Sequence, residues 1–227
     1  MLAALDDMGE LANTYVLITS DHGYNLGHHR LPSNKFLLYD HSLRIPMLFK
    51  GPGIKPNTTL DFLGTQVDLH PTILGLAGIE APRVGPSAVD GQSVVPLLIG
   101  EAAAAPPSVR RHLAAAAAPV RDTAFTEYYN QGPWEVGKPH ALDDWSNTYI
   151  GVTFRNGSHS WKYAEYDPYG KQSNFSSVYF TELFDLNADP FELANVINES
   201  SAELRALLHA KTRHWYGCAG ATCVDRL

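Results

Sequence analysis

Basic residues are the scarcer charged class: 17 Lys and Arg stand against 24 Asp and Glu in 227 residues, a formal net charge of −7. Nowhere do they gather into the basic stripe that a nucleic-acid-binding face uses, so no nucleic-acid partner is expected. An acidic chain can still build a locally positive pocket, so an anionic substrate stays open. Long apolar runs are also absent. No stretch approaches the roughly 18 apolar residues of a membrane-spanning helix, and no membrane span is expected. The opening residues, Met1–Glu10, lack a basic start and turn acidic early, so no signal peptide is read there. Cysteine is limited to Cys218 and Cys223, with small residues between them. This Cys-x4-Cys pair suits a short disulfide loop. Zinc would need two further soft ligands and only His214 is near, so zinc ranks below a disulfide, and two free thiols are the third option. There is no internal repeat.

What is present is enough for a globular core: 44% hydrophobic and 11% aromatic residues, in a length that suits one large domain or one and a half small ones. Leu2, Leu5, Met8 and Leu11 recur near a 3.6-residue spacing and predict the end of a helix over 1–11. Tyr15–Thr19 is short, apolar and β-branched, as a strand buried on both faces of a parallel sheet would be. A second apolar run, Ile45–Phe49, meets the turn cluster Lys50-Gly-Pro-Gly53. Within Thr65–Gly78, Asp68 is placed to cap a helix, Pro71 falls in its first turn and Gly78 ends it. Asp90-Gly91 turns the chain into one or two helical turns over Ser93–Ile99. Residues 101–120 are rich in Ala and Pro around Arg110-Arg111-His112 and read as a surface insertion or linker. Strand-like segments return at Ala124–Tyr129, Thr148–Phe154, Trp161–Tyr163 and Glu182–Leu186, with turns at Asn156-Gly157 and Asp189-Pro190. A last helix is expected over about Ser201–Tyr216, packed on a small antiparallel sheet. Asn-X-Ser/Thr triplets begin at Asn57, Asn156, Asn174 and Asn198. Each is a candidate glycosylation site, and each is a triplet that chance also supplies.

Chemistry concentrates at Ser20-Asp21-His22-Gly23, where the first strand ends. In open α/β sheets ligands bind outside the carboxyl ends of strands. Asp21 offers hard oxygen to Ca2+ or Mg2+. His22 is a borderline ligand, better suited to zinc or a transition metal, and could instead donate to a substrate oxygen. By themselves these four residues describe an ordinary turn more often than a site, with Asp21 as a cap and Gly23 at positive φ.

The wider context changes that balance. Ser20-Asp-His-Gly-Tyr-Asn-Leu-Gly27, then Lys35, Leu38-Tyr-Asp40, Leu43-Arg-Ile-Pro46 and Gly51-Pro-Gly-Ile-Lys-Pro-Asn57 together resemble the type I sulfatases of the alkaline-phosphatase-like superfamily. Within that family the pattern is most similar to the branch acting on N-acetylglucosamine 6-sulfate. Val67–Leu74, Asp90-Gly-Gln-Ser93, Glu182–Pro190 and Cys218-Ala-Gly-Ala-Thr-Cys223 are similar to later family segments. The alanine-rich stretch and residues around 131–147 are not covered.

The resemblance implies an α/β fold: the C-terminal part of a sulfatase catalytic domain over 1–100, an Ala/Pro-rich insert over 101–122, and a C-terminal α+β subdomain over 123–227. It implies a sulfuric ester hydrolase acting on sulfated saccharides of glycosaminoglycans, N-acetylglucosamine 6-sulfate units among them. Asp21 and His22 would hold the family's divalent cation, usually Ca2+, with His22 standing where many members have Asn or Gln. Lys35 would stabilise charge on the sulfate. Cys218 and Cys223 would form the family's terminal disulfide, and the compartment would be secretory, lysosomal or extracellular. Arg44 is expected to pair with Asp40 or a carbonyl, while His28 and His29 either line the site mouth or lie on the surface.

Family sulfatases attack with a formylglycine made from Cys or Ser in a Cys/Ser-x-Pro-x-Arg motif. No proline here has Cys or Ser two residues before it. Asp6-Asp7 sits in the first helix rather than at a strand end, so it does not supply the family's other metal carboxylates. The expectation is half of an active site, whose partner is a missing N-terminal half, and no turnover by this chain alone. Two alternatives remain: a non-catalytic remnant that binds carbohydrate or anions, and a related phosphatase or phosphodiesterase. The latter would need further metal ligands, and His70, His112 and His140 stand in no ligand motif.

Overall fold

A computed structural model describes residues 1–31, 35–82, 84–85, 87–99, 105–115, 121–130 and 146–224. His140 lies outside the described residues, as does part of the alanine-rich stretch. The chain forms two compact units that interleave in sequence. One comprises Met1–Ser20, Pro46–Arg121 and Cys218–Val224; the other is built from Asp21–Ile45 and Asp122–Gly217.

In the first unit, helix α1 covers Leu2–Asp7 and a 3-10 turn covers Leu11–Asn13. The helix expected over 1–11 is therefore shorter, because Gly9 takes a left-handed φ of 72° and ends it. Strand β1, Val16–Thr19, pairs antiparallel with β2, Met47–Lys50, in a two-stranded ladder. This corrects the parallel, doubly buried strand read from the sequence. A four-residue apolar run specifies extended backbone but carries no information on partner direction. Ile18 and Leu48 face each other across this ladder and are 53% and 55% exposed.

Helix α3, Leu69–Leu76, follows a 3-10 turn at Gln66–Asp68. Asp68 stands at its N-terminal boundary, but its side chain does not cap α3. The carboxylate instead accepts from the Thr65 and Gln92 backbone N–H groups at 2.9 and 2.8 Å. It also takes the Arg121 guanidinium in a bidentate pair at 2.5 and 2.9 Å. A buried carboxylate is stabilised by gathering several donors, and charged donors outbid a lone helix N–H.

Within the stretch read as a surface insertion or linker, the described residues include helix α5, Pro107–Ala115. Ala105 and Val109 are buried with Val94, Val95, Leu98 and Ile99, next to helix α4, Val95–Leu98. Alanine-rich composition is ambiguous in sequence, since alanine suits both a linker and a close-packed helix.

The second unit is organised by a four-stranded antiparallel sheet, β3 (Thr123–Tyr128), β4 (Tyr149–Asn156), β5 (His159–Tyr166) and β6 (Phe180–Asp185), in sequence order. Both faces of the central strands are covered. On one, Val152, Phe154, Tyr163 and Leu183 pack with Leu208 of helix α6, Ala202–Gly217. Ser201 caps α6 by accepting from Leu204 N–H at 3.1 Å. On the other face Tyr149, Ala164 and Tyr166 pack with Leu38, and Leu43 joins them. Gly151 makes this possible: a Cβ there would stand 2.6 Å from the Tyr163 carbonyl and 3.2 Å from Leu38 Cδ1. The segment that carries Asp21, His22 and Lys35 is thus anchored on the back of the sheet that carries α6.

Candidate active site

The residues after β1 are irregular, so their geometry must come from side-chain and backbone contacts. Gly23 donates its N–H to the Ser42 carbonyl at 2.8 Å. Ser42 belongs to α2, the single turn Asp40–Leu43. A Cβ on Gly23 would fall 1.9 Å from the His41 carbonyl oxygen, so only glycine permits this approach. Asn25 is buried and accepts from Ser42 Oγ at 3.3 Å. Two successive turns of chain are thereby pinned against α2.

Asp21, His22 and Lys35 are brought together. His22 Nδ1 lies 2.6 Å from the Gly23 carbonyl, an acceptor, so Nδ1 carries the proton. Its Nε2 then bears a lone pair, which faces the Lys35 ammonium at 2.8 Å. Asp21 Oδ2 is 2.9 Å from the same nitrogen. An imidazole lone pair and a carboxylate oxygen at that separation repel unless a positive charge sits against both. Lys35 places its ammonium against the imidazole nitrogen. Asp21 is 78% exposed and His22 30%, so the pair opens to solvent. One carboxylate and one imidazole with its second nitrogen fixed by a carbonyl suit a divalent cation as two of its ligands. Among the described residues no group of three or more His, Cys, Asp or Glu completes such a site.

Beside this trio stands a stack of rings. His29 lies on Tyr39 at 4.3 Å between centroids, and His41 lies 4.8 Å from His28 and 5.2 Å from His29. Gly27, His29 and Arg30 all adopt left-handed φ, at 94°, 53° and 59°. For two non-glycine residues this is backbone strain, which gathers at functional sites. Burial, followed by the charges of Glu182 and Glu192, pushes the Tyr39 phenol up to about 12. Burial also raises the Glu182 carboxyl, although its hydrogen bond from Tyr166 OH opposes the shift. His41 is held below its ordinary value, first by burial and then by His28, His29 and Lys162, with Asp40 opposing.

Arg44 lies 4.0 Å from Asp40, four residues away on an exposed flank. Asp40 has a closer partner that the sequence does not advertise. Lys162 of β5 is wholly buried and pairs with both Asp40 and Glu192. Glu192 in turn accepts from the Asp40 backbone N–H at 2.7 Å. In a strand reading Trp-Lys-Tyr, a lysine is expected to face solvent. It is buried here because both sheet faces are covered.

The remaining candidates lie elsewhere. Cys218 and Cys223 are joined, with Cα atoms 5.0 Å apart. Gly220 between them donates to Asp90 Oδ1 at 2.6 Å. Asn57, Asn156, Asn174 and Asn198 are all exposed. Asp6 and Asp7 lie on exposed α1, His70 is exposed, and His112 is buried in the first unit.

A sulfatase family model matches residues 1–79, the stretch containing Asp21, His22 and Lys35. Human N-acetylglucosamine-6-sulfatase is 29% identical over 98% of this chain. An arylsulfatase from Volvox carteri is 32% identical over 99% of it. A protein solved in complex with its substrate D-glucosamine-2-N,6-O-disulfate superposes with a TM-score of 0.67 at 25% identity, over 93% of this chain. This chain belongs to the sulfatase family. It spans 39% of the human relative, 33% of the Volvox relative and 36% of the solved protein. The likeness extends past the matched block, since the human and Volvox relatives cover 98% and 99% of this chain. No helix among the described residues is long and apolar enough to cross a membrane.

Proposed function

We propose that this chain carries the cation- and sulfate-binding half of a sulfuric ester hydrolase acting on sulfated glycosaminoglycan sugars, N-acetylglucosamine 6-sulfate units foremost. The reading rests on the convergence of Asp21, His22 and Lys35 on one imidazole nitrogen. Asp21 Oδ2 would give Ca2+ a hard oxygen, and His22 Nε2, turned beside it by the Gly23 carbonyl, would join it once the Lys35 ammonium leaves that nitrogen for the sulfate. A divalent cation held there would supply positive charge to the sulfate. Lys35 would set its ammonium against a second sulfate oxygen, where charge builds as the S–O bond to the sugar breaks. The substrate class is supported by the names of the relatives above. A secretory compartment is supported by the Cys218–Cys223 disulfide and the four exposed sequons at Asn57, Asn156, Asn174 and Asn198, which would carry glycans there.

The test is calorimetric titration of the 227-residue chain with Ca2+, then with sulfate. Asp21→Asn and His22→Ala are each expected to weaken Ca2+ binding by about tenfold or more. Lys35→Ala is expected to leave Ca2+ binding in place and to abolish the sulfate heat. An unmodified chain that takes up neither ion would sink the reading. Hydrolysis of an aryl sulfate by the chain alone is expected to be absent, because its 227 residues encode no Cys/Ser-x-Pro-x-Arg nucleophile motif.

A further inference from the structure

Lys162 is the most costly side chain in the second unit to explain by folding alone. Its ammonium is wholly removed from water and is held by two carboxylates, Asp40 and Glu192. A buried ion group of this kind is often replaceable by apolar residues without loss of stability, so its presence suggests a requirement for one specific geometry. The backbone adds a second sign. Glu192 takes a left-handed φ of 57° and is itself buried. Its neighbours Phe191 and Leu193 are 74% and 73% exposed. The chain therefore turns one carboxylate inward while leaving two large apolar side chains in solvent, the reverse of what burial of apolar surface favours.

What Glu192 reaches explains the arrangement. One oxygen meets Lys162, and the other accepts from the Asp40 N–H at 2.7 Å, at the first residue of α2. Asp40 offers its own carboxylate to the same ammonium. α2 is thus fixed at its start by both backbone and side chain. Two residues on, the Ser42 carbonyl accepts the Gly23 N–H and Ser42 Oγ binds Asn25. Gly23 in turn fixes the His22 ring through its carbonyl. A continuous path of hydrogen bonds and ion pairs runs from β5 through Glu192 and α2 to the imidazole.

We propose that Lys162, Glu192 and Asp40 are positioning residues that set His22 and Asp21 at the cation-binding geometry by fixing α2 beneath Gly23. This rests on the reading of Asp21 and His22 as cation ligands given above. None of the three touches the cation or the substrate. Lys162 and Glu192 lie on the C-terminal sheet and the loop that follows it, so the sheet serves the site as its support.

The experiment measures Ca2+ affinity of the whole 227-residue chain by calorimetry, well below the melting temperature, for the unmodified chain and for Glu192→Gln, Asp40→Asn and Leu208→Ala. Leu208 is the buried residue of α6 packed on the sheet and lies outside the path, so its truncation reports general loosening. Glu192→Gln and Asp40→Asn are expected to weaken Ca2+ about tenfold. Leu208→Ala is expected to lower the melting temperature with Ca2+ affinity unchanged. Unchanged affinity in both path variants overturns the inference, as does an equal loss in Leu208→Ala. Should Glu192→Gln fail to fold, Asp40→Asn decides, since that side chain is partly exposed. An unmodified chain that binds no Ca2+ is a different result: it removes the cation reading itself, and the inference with it.

Discussion

The two sheets of this molecule are built from similar local sequence and behave differently. β1 and β2 form a ladder of four residue pairs that leaves Ile18 and Leu48 in solvent. β4 and β5 run eight residues each, with one face under α6 and the other under Leu38 and α2. A two-stranded ladder is marginal by itself, whereas four strands with covered faces have independent stability. Catalytic-type residues need rigid support, and the segment from Asp21 to Ile45 has little regular structure of its own. It gains rigidity from the larger sheet. The candidate site is therefore best understood from the C-terminal strands and not only from the short strand that precedes it in sequence.

The contrast can be broken most strongly at the buried charges. Glu192→Ala leaves Lys162 buried with a single carboxylate and frees the Asp40 N–H. Such a loss costs about 3–5 kcal/mol, and a urea melt of the second unit should show it. Leu208→Ala on the opposite face should cost about 2–5 kcal/mol in the same melt, by removing transfer energy and opening a cavity. Acid should also act on the second unit. His41 has a lowered pKa when folded, so the unfolded chain takes up this proton first as pH falls. Stability from this group is present above its ordinary value of 6.5 and is lost as pH drops through the window below it. Thermal melts from neutral to acid pH should show that loss, and His41→Gln should flatten it. Glu182 works in the opposite sense, since its raised pKa makes ionisation costly in the folded state and acid relieves that cost. The smallest effect belongs to the small sheet. Ile18→Thr is expected to change stability by less than about 0.5 kcal/mol, because its side chain is already largely hydrated.

Much of the candidate site was legible locally. The order Asp21, His22, Gly23, then Lys35, then Arg44-Ile-Pro46, resembles a family pattern, and the structure gathers the first, second and fourth of these. The strands of the second unit were also legible, within a few residues at each end, from β-rich runs separated by Asn156-Gly157 and Asp189-Pro190. Lys162 was not legible. A single lysine between aromatic residues in a strand fits a solvated edge, and its partners stand 122 and 30 residues away. Glu192 sits just past a turn signal, where an acid needs no special explanation. The packing of Val109 was hidden in a stretch whose composition resembles a linker.

The sequence by itself marked most of the strands and helices to within a few residues, and its resemblance to the sulfatases named Asp21, His22 and Lys35 as candidates for one site. The elements follow from short-range rules, side-chain periodicity and turn residues. The tertiary structure alone decided that β1 pairs antiparallel with β2, that Ala105 and Val109 join a core, and that Lys162 is buried beneath α2. The reason is physical. Burial of a charge is offset only by partners brought from elsewhere in the chain, and no local pattern records which face of a strand will be covered.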